Sequence, residues 1–436
     1  SYLGYAGGPT ASLVAIENST GQVRAMVGGP DYNKTPFNLA TNGERQPGSA
    51  FKVFDLAAAL EDGISPNSVW SSREKIFIVP NTAGQEKFVV HNDEGSYTGS
   101  NTLTGATTFS DNSIYAEVGL KVGTRRIARL AHRMGITTPL STNPAMTIGG
   151  LTVGVTPLDM AHAYETIARA GRRVSGTLAE KGAPVGIQEV DGGGRALPDG
   201  ARRDVNRVTT QAVLPASIAA TETSILETVV QDGTGRAAAT GQFAAGKTGT
   251  TSNYGDAWFV GWDSRYTVAV WVGYPNGLVP MTNAFNGNPV LGGTYPALIW
   301  HNFITLAARI DKERGERAAQ RAAERKAGKH PLEAPPEIAT PPPSAATTNG
   351  GSGNRRSGTA THPSPSKHSA GSPAPSGGGG GETHAKGGSE RSAAPESAAR
   401  APSAPAAAPA PKPSPPPSSP PAEPPPATGG VSPGGG

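Results

Sequence analysis

The chain changes character at Pro331, and that break decides how much of it can fold. Of the 41 Pro among 436 residues, 25 lie in 331–436, and no Phe, Tyr or Trp follows Phe303. A stretch of Pro, Ala, Ser and Gly has too little apolar surface to offset the entropy of ordering it. Residues 331–436 are therefore expected to form a disordered tail and residues 311–330 a charged helical extension. Residues 10–310, roughly 300 of them, are ample for a proper core.

Periodicity divides the folded part into elements. Ala11–Gly29 reads as a hairpin turning at Asn18–Gly21. Arg45–Pro66 reads as a helix that starts after Pro47-Gly48 and stops at Gly63. Its body, with Phe51, Val53, Phe54, Leu56, Ala57, Ala58 and Leu60, is apolar on nearly every side, so it belongs inside the core. Thr124–Ile136 and Thr156–Gly171 are amphipathic helices. Ala183–Gly200 suggests a small hairpin, and a helix then ends before Gly233. Two strands follow, Ala257–Trp262 and Tyr266–Gly273, and Tyr295–Ile310 closes the unit as a helix. Strands from both chain ends therefore build one sheet with helices inserted between them, an α/β (α+β) class fold without internal repeats.

Several functions are argued against. The net charge is +4, and the basic residues form no patch interleaved with aromatics, so nucleic-acid binding is not expected. With no Cys there is no disulfide, zinc-thiolate site or cysteine nucleophile. The eight His are scattered without a His-x-x-x-His pair, and neither metal nor cofactor is expected. No apolar run approaches the ~20 residues of a spanning helix. The chain begins at Ser1 rather than Met, so a targeting segment is expected upstream.

Gly241–Thr251, GQFAAGKTGTT, admits two chemistries. Its first eight residues fit the phosphate-loop pattern, which needs a buried strand before it and a helix at its Lys. GTGRAAAT before and TGTTSNYG after supply neither. As a strand the stretch makes sense. Gly249 lets another backbone approach closely, while Thr248 and Thr250 face one side and Lys247 the other. A peptide laid alongside would find main-chain partners, two hydroxyls and an ammonium for its terminal carboxylate.

A nucleophile is then required. Ser-x-x-Lys occurs at Ser49–Lys52, Ser72–Lys75 and Ser364–Lys367. Ser364 lies in the tail, and Ser72 lies in a charged stretch where a solvated lysine is the default. Ser49 opens the buried helix after Pro-Gly and shares a face with Lys52. A desolvated lysine with a pKa lowered toward ~7–8 can act as base for the hydroxyl. Ser110-Asp111-Asn112 sits between two expected helices, where Ser110 can relay a proton to a leaving amine and Asn112 can hold a substrate amide.

Together, S-x-x-K, S-D-N and K-T-G are the motif set of penicillin-binding proteins and class A β-lactamases. With RQPGSAFK, GGLTVGVTPLDMAHAYETIARAG and AGKTGTTSNYGDAWFVGW, residues 10–305 resemble the transpeptidase domain of bifunctional (class A) penicillin-binding proteins. That resemblance implies a five-stranded antiparallel sheet flanked by helices and a D,D-transpeptidase of peptidoglycan synthesis at the extracytoplasmic face of the bacterial membrane. It implies that Ser49 is acylated by D-Ala–D-Ala, with Lys52 as base and Ser110 and Lys247 in the proton network. Asn112 would position the stem peptide, and Thr248, Gly249 and Thr250 would receive its carboxylate. Backbone N–H groups of Ser49 and Thr250 would form the oxyanion hole, and β-lactams would acylate Ser49. It also implies a membrane anchor and a glycosyltransferase domain upstream, hence an N-terminally truncated chain. A D,D-carboxypeptidase or β-lactamase-like hydrolase and a non-catalytic penicillin or muropeptide sensor are the alternatives. No E-x-x-L-N stretch of the β-lactamase kind is seen.

Overall fold

The computed structural model describes residues 8–326 except 80–81, 83–84, 180–181 and 198–199. The tail expected at 331–436 and the last residues of the expected extension lie outside the described residues.

Two chain ends meet in one antiparallel sheet. The first hairpin supplies β1 (Thr10–Glu17) and β2 (Gln22–Val27). The C-terminal part supplies β3 (Ala245–Thr250), β4 (Asp256–Trp262) and β5 (Tyr266–Gly273). The order is β3-β4-β5-β1-β2, and every neighbouring pair is antiparallel. This is the five-stranded sheet that the resemblance implied.

Alternation along the strands feeds two cores. Val14, Ile16, Trp258, Val260, Ala269 and Trp271 face one side, where they pack with the helices Lys52–Glu61 (α1) and Pro157–Ala168. Leu13, Ala15, Phe259, Val268 and Val270 face the other, against Trp300 and Ile304 of the C-terminal helix Tyr295–Lys326. Both faces are covered, which explains strands that are apolar at nearly every position. The C-terminal helix runs without a break through residue 311 into its exposed, charged half.

α1 is buried from Lys52 to Leu60, as its all-round apolar sequence predicts. It is enclosed by α2 (Leu103–Thr108), α3 (Asn112–Val122), α4 (Thr124–Met134), α5 (Pro157–Ala168) and α6 (Ala216–Gln231). Among the described residues no helix is long and apolar enough to cross a membrane.

Two expectations need correction. The strand Glu189–Asp191 pairs with Arg203–Val205, beyond the hairpin expected at Ala183–Gly200. Gly192–Arg195 closes one turn within the connection, which is longer than a tight turn. Ser72 and Lys75 are not solvated, although Arg73 and Glu74 between them are exposed. Ser72 is buried in a ribbon, Val69–Ser72 with Gly99–Thr102. Lys75 Nζ donates to Ser71 O and Ser113 O and pairs with Glu117.

Candidate active site

Ser49 lies in a single 3-10 turn, Gly48–Phe51, that leads directly into α1. Side chains at i and i+3 eclipse in such a turn, so Ser49 and Lys52 share one side. Gly48 holds φ +50°, and a Cβ there would sit 2.6 Å from Thr250 O. Gly249 reciprocates, since its Cβ would meet Pro47 O at 2.2 Å. The two glycines let the serine turn and β3 lie backbone against backbone. Three bonds clamp the turn. Trp258 Nε1 donates to Gln46 O (2.8 Å), Tyr164 Oη to Ala50 O (2.6 Å), and Arg45 Nε to the buried Asp256 (2.9 Å). Ser49 itself is half-buried, and among the described residues its hydroxyl makes no hydrogen bond.

Lys52 is wholly buried. Its Nζ donates to Ser110 O (2.7 Å) and Asn112 Oδ1 (2.7 Å) and lies 3.3 Å from Ser110 Oγ. The first two oxygens can only accept, whereas a hydroxyl can also donate. A neutral amine meets this arrangement fully, with two N–H bonds given and a lone pair left for a hydroxyl. Burial pushes Lys52 down to about 7, against the pull of Asp111, Asp55 and Asp93. Asp55, three residues along α1, does not neutralise it as an ion pair. Burial holds the Asp55 carboxyl well above its ordinary range despite the opposing pull of Lys52. Neither carboxyl oxygen has a partner among the described residues.

Ser110 occupies the corner between α2 and α3 at φ +62°, a region that costs a non-glycine residue roughly 1 kcal/mol or more. The corner turns its carbonyl and hydroxyl toward Lys52, and the hydroxyl also accepts from Lys247 Nζ (2.9 Å). Asp111 fixes the corner as the N-cap of α3. Its carboxylate accepts from Ile114 N (2.9 Å), Ser113 Oγ (2.8 Å), Asn92 Nδ2 (2.8 Å) and Ser72 Oγ (2.5 Å). Burial alone would raise the Asp111 pKa, but these four bonds outweigh it and lower the value. Asn112 Nδ2 donates to His91 O (3.1 Å), which leaves one amide hydrogen for a ligand.

β3 is an edge strand. Lys247 is fully buried, and besides Ser110 its Nζ approaches Thr248 O (3.3 Å) and Thr248 Oγ1 (3.5 Å). Burial, and then the charge of Lys52, holds its amine well below the ordinary lysine range. Thr250 Oγ1 accepts from Gly292 N–H (3.0 Å) and keeps its own proton to donate. Thr248 Oγ1 lies 2.6 Å from Thr234 Oγ1. Hydrogen bonds and close backbone contacts thus join Ser49, Lys52, Ser110, Asn112, Lys247, Thr248, Gly249 and Thr250 in one constellation beside β3. A groove of about 460 Å³ at the opposite, β2 edge of the sheet, lined by Arg24, Tyr266 and Phe303, contains none of them.

Sequence reasoning passed over four residues here. Asp111 is visible inside its motif, but its anchoring role depends on Ser72, in the Val69–Ser72 strand, and on Asn92, in a loop that caps the Asp93–Gly95 turn. Thr234 stands in GTGRAA, where nothing local reveals that its hydroxyl meets β3.

Residues 11–286 match the penicillin binding protein transpeptidase domain. The chain belongs to the penicillin-binding transpeptidase family. It is 33% identical over 308 residues to penicillin-binding protein 1A of Neisseria cinerea, covering 70% of this chain and 36% of that protein. It is 30% identical over 300 residues to penicillin-binding protein 1A of Aquifex aeolicus, covering 69% and 38%. The chain therefore spans little more than a third of the length of these curated relatives. Among solved structures it is similar to PonA1 of Mycobacterium tuberculosis in complex with penicillin V. The TM-score is 0.56 at 27% identity, with 69% of this chain and 78% of that one covered.

Proposed function

We propose that this chain is a serine D,D-transpeptidase acting on peptidoglycan stem peptides at the extracytoplasmic face of the membrane, and that β-lactams acylate the same serine. The observation that supports this most is the convergence of two buried lysines on Ser110, together with a Ser49 hydroxyl that has no competing partner among the described residues.

In the first half-reaction Ser49 Oγ bonds to the carbonyl carbon of D-Ala–D-Ala as its proton passes to neutral Lys52. Backbone N–H groups of Ser49 and Thr250 hold the oxyanion, an interaction worth ~10²–10³ in rate per donor in other enzymes. Collapse breaks the C–N bond. Ser110 gives its proton to the departing amine and is refilled from Lys52. In the second half-reaction an acceptor amine attacks the ester. Its proton returns through Ser110 and Lys52 to Ser49 Oγ as the C–O bond breaks. The free amide hydrogen of Asn112 orients the donor peptide. Thr248 and Thr250 bind its carboxylate, with Gly249 letting the strand approach the serine turn.

Incubation of the protein with a D-Ala–D-Ala stem peptide and an acceptor amine tests this by the mass of the products. The aminolysis product is expected to exceed the hydrolysed peptide. Hydrolysis alone would make the chain a carboxypeptidase, and a stable acyl-enzyme with neither product would make it a sensor.

A further inference from the structure

We propose that Thr234 is a positioning residue of the carboxylate grip, lending its hydroxyl proton to Thr248 so that Thr248 donates to the substrate carboxylate. This rests on the transpeptidase reading of the same groove. Thr234 Oγ1 lies 2.6 Å from Thr248 Oγ1, and either atom can donate in the resting protein. Each hydroxyl carries a single proton. Once the Thr248 hydroxyl donates its hydrogen bond to a carboxylate, the Thr234–Thr248 bond survives only with Thr234 as donor. The result is a directed chain, O–H to O–H to carboxylate, in which each bond polarises the next. Lys247 Nζ, 3.5 Å from Thr248 Oγ1, adds a second donor and pushes the same way.

The segment that carries Thr234 is held by both halves of the site. Thr234 N–H donates to Thr108 O (3.2 Å), two residues before Ser110. A Cβ on Gly233 would meet Thr108 O at 2.2 Å, and one on Gly293 would meet Thr234 O at 2.3 Å. Thr108 Oγ1 is itself joined to Thr228 Oγ1 at the end of α6 (2.5 Å). Thr234 is exposed while Thr248 is buried, so the hydroxyl pair lies at the boundary between the core and solvent beside β3.

The test compares acylation rates of wild type, Thr234→Val and Thr234→Ser with benzylpenicillin and with its methyl ester, which lacks the carboxylate charge. Thr234→Val should lower the acid-to-ester rate ratio about three- to tenfold, the loss of one hydrogen bond, and Thr234→Ser should restore it. In a Thr248→Val background, Thr234→Val should change the ratio less than twofold. Equal slowing of acid and ester, an unchanged ratio, failure of serine to rescue, or a full additional loss in the Thr248→Val background would overturn the inference. Wild type that is not acylated by the acid at all would instead defeat the transpeptidase reading. Thr234→Ser and the ester arm keep the comparison readable if the valine variant folds poorly.

Discussion

Acylation should follow the protonation of Lys52, and its pH profile carries a definite magnitude. Burial lowers the amine from 10.5 to about 7. The reactive form is the neutral one, so activity rises with pH. The neutral fraction is about 9% at pH 6, about half at pH 7 and about 91% at pH 8. The apparent second-order rate of acylation by a fluorescent penicillin, measured by stopped flow under pseudo-first-order conditions, should therefore climb about tenfold from pH 6 to 8 and level off above. A base with an ordinary lysine pKa would give about a hundredfold rise over the same interval and continue upward beyond pH 9. The stability linkage of this group does not mimic the profile. A lysine whose folded pKa is depressed contributes its full stability above 10.5, loses it as pH falls toward about 7, and changes nothing further below. A rate that keeps rising tenfold per unit through pH 9, or that is flat from pH 5 to 9, would refute Lys52 as the base.

Gly249→Ala puts a methyl 2.2 Å from Pro47 O and 3.0 Å from Ala50. Because the obstacle is backbone, the serine turn must shift. Thermal unfolding should show a loss of about 1–3 kcal/mol, and penicillin acylation should fall more than tenfold by this reasoning, because the turn carries Ser49. Unchanged acylation would contradict the close approach of turn and strand. Asp111→Ala removes the α3 cap, leaves the Ser72 and Ser113 hydroxyls without their acceptor and takes one of two acceptors from Asn92 Nδ2. Denaturant unfolding at pH 7 should report a loss of about 2 kcal/mol or more. The lowered pKa of Asp111 stabilises the fold above its ordinary value of 3.8, and that gain disappears as pH falls through the folded value. The gap between wild type and variant should therefore narrow in acid, and a gap that widens would count against the capping role.

The fold and the motifs were legible in the sequence for physical reasons. A strand covered on both faces reads as a continuous apolar run, which is why Tyr266–Gly273 stood out, and a helix buried all round betrays itself at Phe51–Leu60. The misreadings share one cause. The second strand of the 189–205 hairpin and the burial of Ser72 and Lys75 depend on partners far along the chain, and neither has a local signature. The same holds within the site. Ser49, Lys52 and Ser110 could be found by spacing, but the approach of Gly48 to Thr250 and of Thr234 to Thr248 exists only once the sheet has closed.

The nucleophile is tested most directly by intact-protein mass and peptide mapping after exposure to benzylpenicillin. A single adduct is expected on the peptide that carries Ser49, lost in Ser49→Ala and sharply slowed in Lys52→Ala. An adduct that persists in Ser49→Ala, or that maps to another serine, would contradict the account.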